Sequence, residues 1–316
     1  MLAERPSRAR ESGMDGLELQ PWMLRSDWRD DHRPCVIVDL GTWSADVRLW
    51  PLPPVPVVAV GSMHHPASAL ADVVVEPGFS VGALAAAIAR TPLAAAALVQ
   101  LLRSIETLDP SSALPLESAV FAMLQGGSEH RAWLERYPSA VPAAPGLLRV
   151  ARMGNRLDLL IDRPLARNAI DRALRDALHD ALSLAALDES IAMVRLRAKG
   201  RAFSVGADLA EFGTTRDPAV AHAVRMRTLP ALALTRGAVL HDVHVQGACV
   251  GAGLELAAFA VRLTAAPGAW FQLPEVGMGI LPGFGGCVSV TARIGRQRAA
   301  LLMLSGRRIG SAHALA

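Results

Sequence analysis

Residues 245–282 read VQGACVGAGLELAAFAVRLTAAPGAWFQLPEVGMGILP. The small-residue turn Gly251-Ala252-Gly253 runs into an apolar, helix-like stretch carrying one carboxylate, Glu255. Twenty positions on, Glu275 follows Pro274 as the only charged residue between Leu263 and Ala292. An ionised carboxylate taken out of water costs several kcal/mol unless it is paired or neutralised. Two acids in such surroundings suit acid/base chemistry, because the environment can set their pKa values apart. The other reading is that each acid is solvated at the end of an element.

Upstream of this stretch the chain alternates strand and helix patterns. Leu157–Ile161, Met193–Arg197 and Val243–Gln246 read as strands, the last leading straight into the Gly251 turn. Asn168–Leu187 reads as an amphipathic helix, with Ala169, Ala173, Leu174, Ala177, Leu178, Ala181 and Leu182 at helical spacing. This alternation predicts a layered α/β architecture. Ahead of it, PSAVPAAPG (138–146) reads as a linker. CVIVDL and VPVVAVGS read as short strands. Val81–Arg103 is helix-like with a break at Pro92, and Leu114–Tyr137 is a second helical stretch interrupted at Gly126-Gly127. The expected division is an arm at 1–33, a strand and helix region at 34–137, the linker at 138–146 and a core at 147–316. Trp22, Trp28, Trp43 and Trp50 are expected to pack the early region against that core.

Composition narrows the function. Hydrophobic residues make up 52% of the 316 and charged residues 19%, enough apolar matter for a sizeable core. The net charge of +3 comes from 32 basic residues, one of them a lysine (Lys199), interleaved with 29 acids. No basic block marks a nucleic-acid groove. Cys35, Cys249 and Cys287 are widely spaced without a C-x-x-C pair, which fits a reducing compartment and no zinc site. The first residues contain no apolar core of a signal peptide, and Gly and Pro break the long uncharged runs. A cytoplasmic protein without a membrane span is therefore expected. His241 and His244 stand three apart in a strand and so face opposite ways, which argues against a metal pair.

Two turns share one physical logic. Phe203-Ser204-Val205-Gly206-Ala207-Asp208 and Val250-Gly251-Ala252-Gly253 each join a strand end to a helix start with small residues. Helix starts leave amide N–H groups unpartnered, so two such turns side by side could hold a developing oxyanion. Taken singly, each turn is as well explained by tight helix-to-strand packing.

From about Asn155 to Ala316 the chain resembles the crotonase (enoyl-CoA hydratase/isomerase) superfamily. The matching segments are DRPLARNAID (162–171), GRAFSVGADLAEF (200–212), VQGACVGAGLELA (245–257), LPEVGMGILPGFGG (273–286) and SGRRIGSAHALA (305–316). The resemblance implies a crotonase-like ββα spiral core, preceded here by a mixed α/β region ending in helices. It places an oxyanion hole at the amides of Ala207 and Ala252. Substrate contacts fall at Ala202, Phe203, Val205, Gly206, Asp208, Gly251, Pro282 and Gly283, with Arg163, Arg167 or Arg201 meeting a CoA phosphate. The family's two hydratase glutamates map onto Glu255 and Glu275. The implied activity is hydration of a 2-enoyl-CoA, with coenzyme A present only as part of the substrate and no further cofactor or metal. The rivals are double-bond isomerisation and a non-catalytic acyl-CoA-binding or scaffold subunit. A homo-oligomer, trimer or hexamer, is implied, with a hetero-oligomer as the variant.

The chain also departs from the family. RGAVLHDVHVQG replaces the usual apolar, proline-containing approach to Gly247, and Cys287 stands where a Thr-Gln-Arg run is common; Cys287 is expected to be a packing residue. Family members continue past the equivalent of Ala316 with helices that cover the acyl pocket. Residues 81–137 are expected to form helices that pack over the core in their place, in the same or a neighbouring subunit. The alternatives are a separate helical appendage or a decayed half-copy. Within this region Glu117, Glu129 and His64-His65 are expected at the surface or as helix caps.

Overall fold

The computed structural model describes residues 33–42, 52–137, 143–236 and 239–315. The four tryptophans above, nearly all of the expected arm and the first part of the expected linker lie outside the described residues.

The chain opens with a parallel sheet of β1 (Val36–Asp39), β2 (Val57–Val60) and β3 (Val73–Val74). Four helices follow. α1 (Val81–Arg90) and α2 (Pro92–Ile105) meet at 105°, because Pro92 cannot continue the hydrogen-bond ladder of α1. α3 (Pro110–Gln125) starts earlier than its apolar pattern suggests. The Asp109 side chain caps it by accepting from the N–H groups of Ser111 and Ser112, and Pro110 sits where no donor is needed. Gly126 and Gly127 end α3, and α4 (Ser128–Arg136) completes the layer.

The second part is built on a five-stranded sheet ordered β4 (Leu147–Met153), β5 (Arg156–Asp162), β6 (Met193–Ala198), β7 (Leu240–Val245) and β9 (Arg262–Ala265). β4 and β5 are antiparallel; the other pairs are parallel. Leu157, Leu159 and Ile161 alternate inward along β5, as a half-buried strand requires. α5 (Arg172–Leu187) buries Leu174, Leu178, Ala181, Leu182 and Ala185 on one stripe and is capped by Asp171. α6 (Pro218–Thr228) and α7 (Pro230–Leu234) lead to β7. A smaller sheet of β8 (Ala248–Val250), β10 (Trp270–Gln272) and β11 (Ile309–Gly310) carries α8 (Ala252–Ala258) directly off β8. α9 (Gly286–Ile294) and α10 (Arg296–Ser305) follow, and α11 (Ser311–Leu315) comes last. The architecture is the α/β spiral of crotonase type, preceded by a mixed α/β region that ends in helices.

The two parts share one core. Leu98 and Leu102 of α2 and Leu114 and Phe121 of α3 belong to the same buried cluster as Leu159, Phe203, Leu256 and Leu301. The helices over 81–136 thus pack in cis, α3 against α6 and α9, and α2 against α10. Among the described residues no single helix is long and apolar enough to cross a membrane, and the bent pair α1–α2 buries one face of each helix in the core.

Candidate active site

The two small-residue turns lie against each other. Ser204 N–H donates to the Ala248 carbonyl, and Val250 N–H donates to that of Ser204. Gly206 (φ +94°) passes so close that a Cβ there would sit 3.1 Å from the Val250 oxygen, hence a glycine. The Ser204 hydroxyl accepts from Gly206 N–H at 3.1 Å and donates to the Asn168 carbonyl at 2.8 Å. These bonds leave two amides over. Neither Ala207 N–H nor Ala252 N–H donates to another group among the described residues.

Both alanines line a cavity of about 170 Å³ together with Glu255, Glu275, Arg225, Gly283 and Phe284. The four groups singled out from sequence therefore border one space. Asp208 borders it as well, held by Arg163 at 2.7 Å. Ala202, Phe203, Val205, Gly206, Gly251 and Pro282, expected as substrate contacts, do not line this cavity. Phe203 is fully buried, and Ala202 packs with Ala248, Val250, Val205 and Trp270. Gly251 (φ +50°) makes room for an acid, since a Cβ there would stand 2.5 Å from Glu275 Oε1. Arg163 has its guanidinium committed to Asp208, Asp171 and the carbonyls of Ala143, Ala144 and Ala169. It is buried, and serves the fold rather than a phosphate. Arg167 and Arg201 are exposed.

A third acid joins Glu255 and Glu275, and of the two roles expected for it, surface or helix cap, it takes the second. Glu117 of α3 is not at the surface but fully buried, and it caps the start of α9. Its Oε1 accepts from Gly285 N–H at 2.7 Å and its Oε2 from Cys287 N–H at 2.8 Å. Glu255 Oε2 accepts from the alternate amides, Phe284 N–H at 2.6 Å and Gly286 N–H at 2.8 Å. Two carboxylates thus share the unpaired donors of one helix start, where the helix dipole also favours negative charge. Phe121, one turn after Glu117, lies on Gly283, where a Cβ would come 2.0 Å from its ring. Glu129 does act as a helix cap, for α2, accepting from Leu93 N–H and Ala94 N–H. Cys287 is buried and packs, its Sγ 3.6 Å from the Pro282 carbonyl.

Glu275 differs from the other two acids. Its Oε2 is buried and has no partner among the described residues. Burial first, and then the Glu255 charge, hold its carboxyl well above the usual range. Burial followed by the Glu255 charge does the same to Glu117. Glu255 is pushed up to about 7 by burial, against the pull of the Phe284 and Gly286 amides and of Arg225. Among the described residues no group of His, Cys, Asp and Glu is arranged to hold a metal ion.

These shifts have a consequence for stability. Between pH 4.5 and about 7 the folded chain keeps protons that the unfolded chain has released. The unfolding free energy must then fall as pH rises through that window. Urea midpoints measured across it are expected to decline, and Glu255→Gln to flatten the decline. A midpoint that climbs with pH contradicts the burial of these acids.

The family model for enoyl-CoA hydratase/isomerase matches residues 157–316, half of the chain. The chain belongs to the enoyl-CoA hydratase/isomerase family. The 2,3-dehydroadipyl-CoA hydratase of Escherichia coli is 35% identical over 162 residues, covering 51% of this chain and 63% of that protein. The mevalonyl-coenzyme A hydratase of Beauveria bassiana is 33% identical over 163 residues, covering 48% and 57%. A crystal structure of enoyl-CoA hydratase from Thermoplasma volcanium is 29% identical, with a TM-score of 0.49, covering 54% of this chain and 68% of that one. The chain spans about three-fifths of the length of these curated relatives. The α3 segment that supplies Glu117 and Phe121 lies outside the region the enoyl-CoA hydratase/isomerase model matches.

Proposed function

We propose that this chain hydrates a 2-enoyl-CoA reversibly. The observation that carries the reading is one cavity lined by the two residues with unpaired amides, Ala207 and Ala252, and by the buried acids Glu255 and Glu275. The names of the relatives support a hydratase. The thioester oxygen sits between Ala207 N–H and Ala252 N–H, and a water lies between Glu255 and Glu275.

Glu255, whose anion two amides favour, takes a proton from the water as the oxygen bonds to C3. The C2–C3 π electrons move onto the thioester oxygen, and the two N–H groups stabilise that enolate, about 3–4 kcal/mol for each such donor. Glu275, held protonated by burial, delivers its proton to C2 and regenerates the carbonyl. The proton on Glu255 passes back to Glu275, and both acids are reset. At about 170 Å³ the cavity is smaller than the roughly 300–1,000 Å³ of most small-molecule sites, so it suits a thioester and a short chain.

The test is product analysis with a 2-enoyl-CoA and a 3-enoyl-CoA of the same length. Formation of 3-hydroxyacyl-CoA from the first is expected. Interconversion of the two alkenes without hydration contradicts the reading, and turnover of neither leaves a binding subunit.

A further inference from the structure

Arg172, Arg175 and Arg225 line the cavity, and among the described residues Arg225 of α6 is the cation whose charge acts on Glu255 and Glu117, yet the hydration scheme gives it no task. Its guanidinium stacks on the Phe121 ring, 3.6 Å from the centroid, and Nε donates to the Gly283 carbonyl at 3.3 Å. Gly283 precedes Phe284, whose amide Glu255 holds, so the guanidinium lies on the Glu255 side of the cavity. Its ring partner and its carbonyl partner both fix its plane, which pre-organises the fork.

The acids around it do not consume that fork. Glu117 and Glu255 are near enough to be felt electrostatically, yet neither comes within ion-pair distance among the described residues. Each is held by two amides of the α9 start instead. Nη1 and Nη2 donate to no group among the described residues and are not among the buried orphan atoms, and Arg225 lines the cavity.

A neutral acyl chain filling this space would strip water from a guanidinium and put nothing in its place, which is costly. A carboxylate on the chain would take both terminal nitrogens in the bidentate geometry that arginine favours. We propose that Arg225 receives a carboxylate carried by the acyl chain, so that the site prefers the CoA monothioester of a dicarboxylic acid over a neutral acyl-CoA. The assignment rests on the acyl-CoA reading above, and names the substrate class within it.

Calorimetric titration with glutaryl-CoA and pentanoyl-CoA tests it, because the two share a chain length and neither can be hydrated. Wild type is expected to bind glutaryl-CoA about tenfold to a hundredfold more tightly, the range for hydrogen bonds to charged groups. Arg225→Met is expected to bring the two to parity by weakening glutaryl-CoA alone, and Arg225→Lys to keep part of the preference. Equal affinities in wild type overturn the proposal, whatever the variants do. Hydration assays separate the two claims. Discrimination in binding without hydration of any 2-enoyl-CoA contradicts the hydratase and keeps the role of Arg225. Hydration without discrimination overturns Arg225 alone.

Discussion

Glu275→Gln is expected to lower hydration of a 2-enoyl-CoA by about 10²–10⁴-fold, the usual contribution of a positioned acid or base. Two features make the expected loss large. Glu275 Oε2 has no partner among the described residues, so no neighbouring group among them substitutes for the proton it carries. Gly251 also leaves space against Oε1, space that only a residue without Cβ provides at φ +50°. The amide of Gln fits that space but cannot give up a proton to C2. Binding of acetoacetyl-CoA is expected to change by no more than a few fold, since the amides of Ala207 and Ala252 remain. Full turnover in the variant would remove Glu275 from the reaction.

Glu117→Ala is expected to destabilise the protein by about 2–6 kcal/mol, because two buried N–H groups lose their acceptor at about 1–3 kcal/mol each. The same change frees the turn that Glu255 grips, so turnover is expected to fall together with the urea midpoint. Glu117→Gln keeps one acceptor oxygen and sets an NH₂ against the second donor. An intermediate loss of stability follows. If Glu117→Ala unfolds at the wild-type midpoint, the helical layer over 81–136 is not tied to the site in the way these hydrogen bonds imply.

The contrast between Glu275 and Glu117 shows where sequence reading stops. Glu275 is a lone acid in a long uncharged run, and the small-residue turns at Gly206 and Gly251 stand at strand-to-helix junctions. Periodicity and composition expose such features locally. Glu117 sits in LPLESAV, a segment no different from many helix surfaces, and its partners are 168 and 170 positions away. Only tertiary packing makes it an active-site neighbour. Arg225 is hidden for a similar reason, since α6 carries two other basic side chains, His222 and Arg227, of the kind found on solvated helices. Strands β8 and β10, of three residues each, are too short for a period to declare itself, whereas the alternation of β5 and the stripe of α5 were plain. Pro92 and Gly126-Gly127 marked the helix breaks because their chemistry acts on their own backbone.

The central claim is that one acyl-CoA thioester fits between two backbone donors and two side-chain acids. A crystal structure with acetoacetyl-CoA bound tests it most directly. The account predicts the thioester oxygen within about 3.1 Å of both Ala207 N and Ala252 N, with the carboxylates of Glu255 and Glu275 facing the acyl carbons. A ligand seated elsewhere, or a thioester oxygen reached by neither amide, would contradict it.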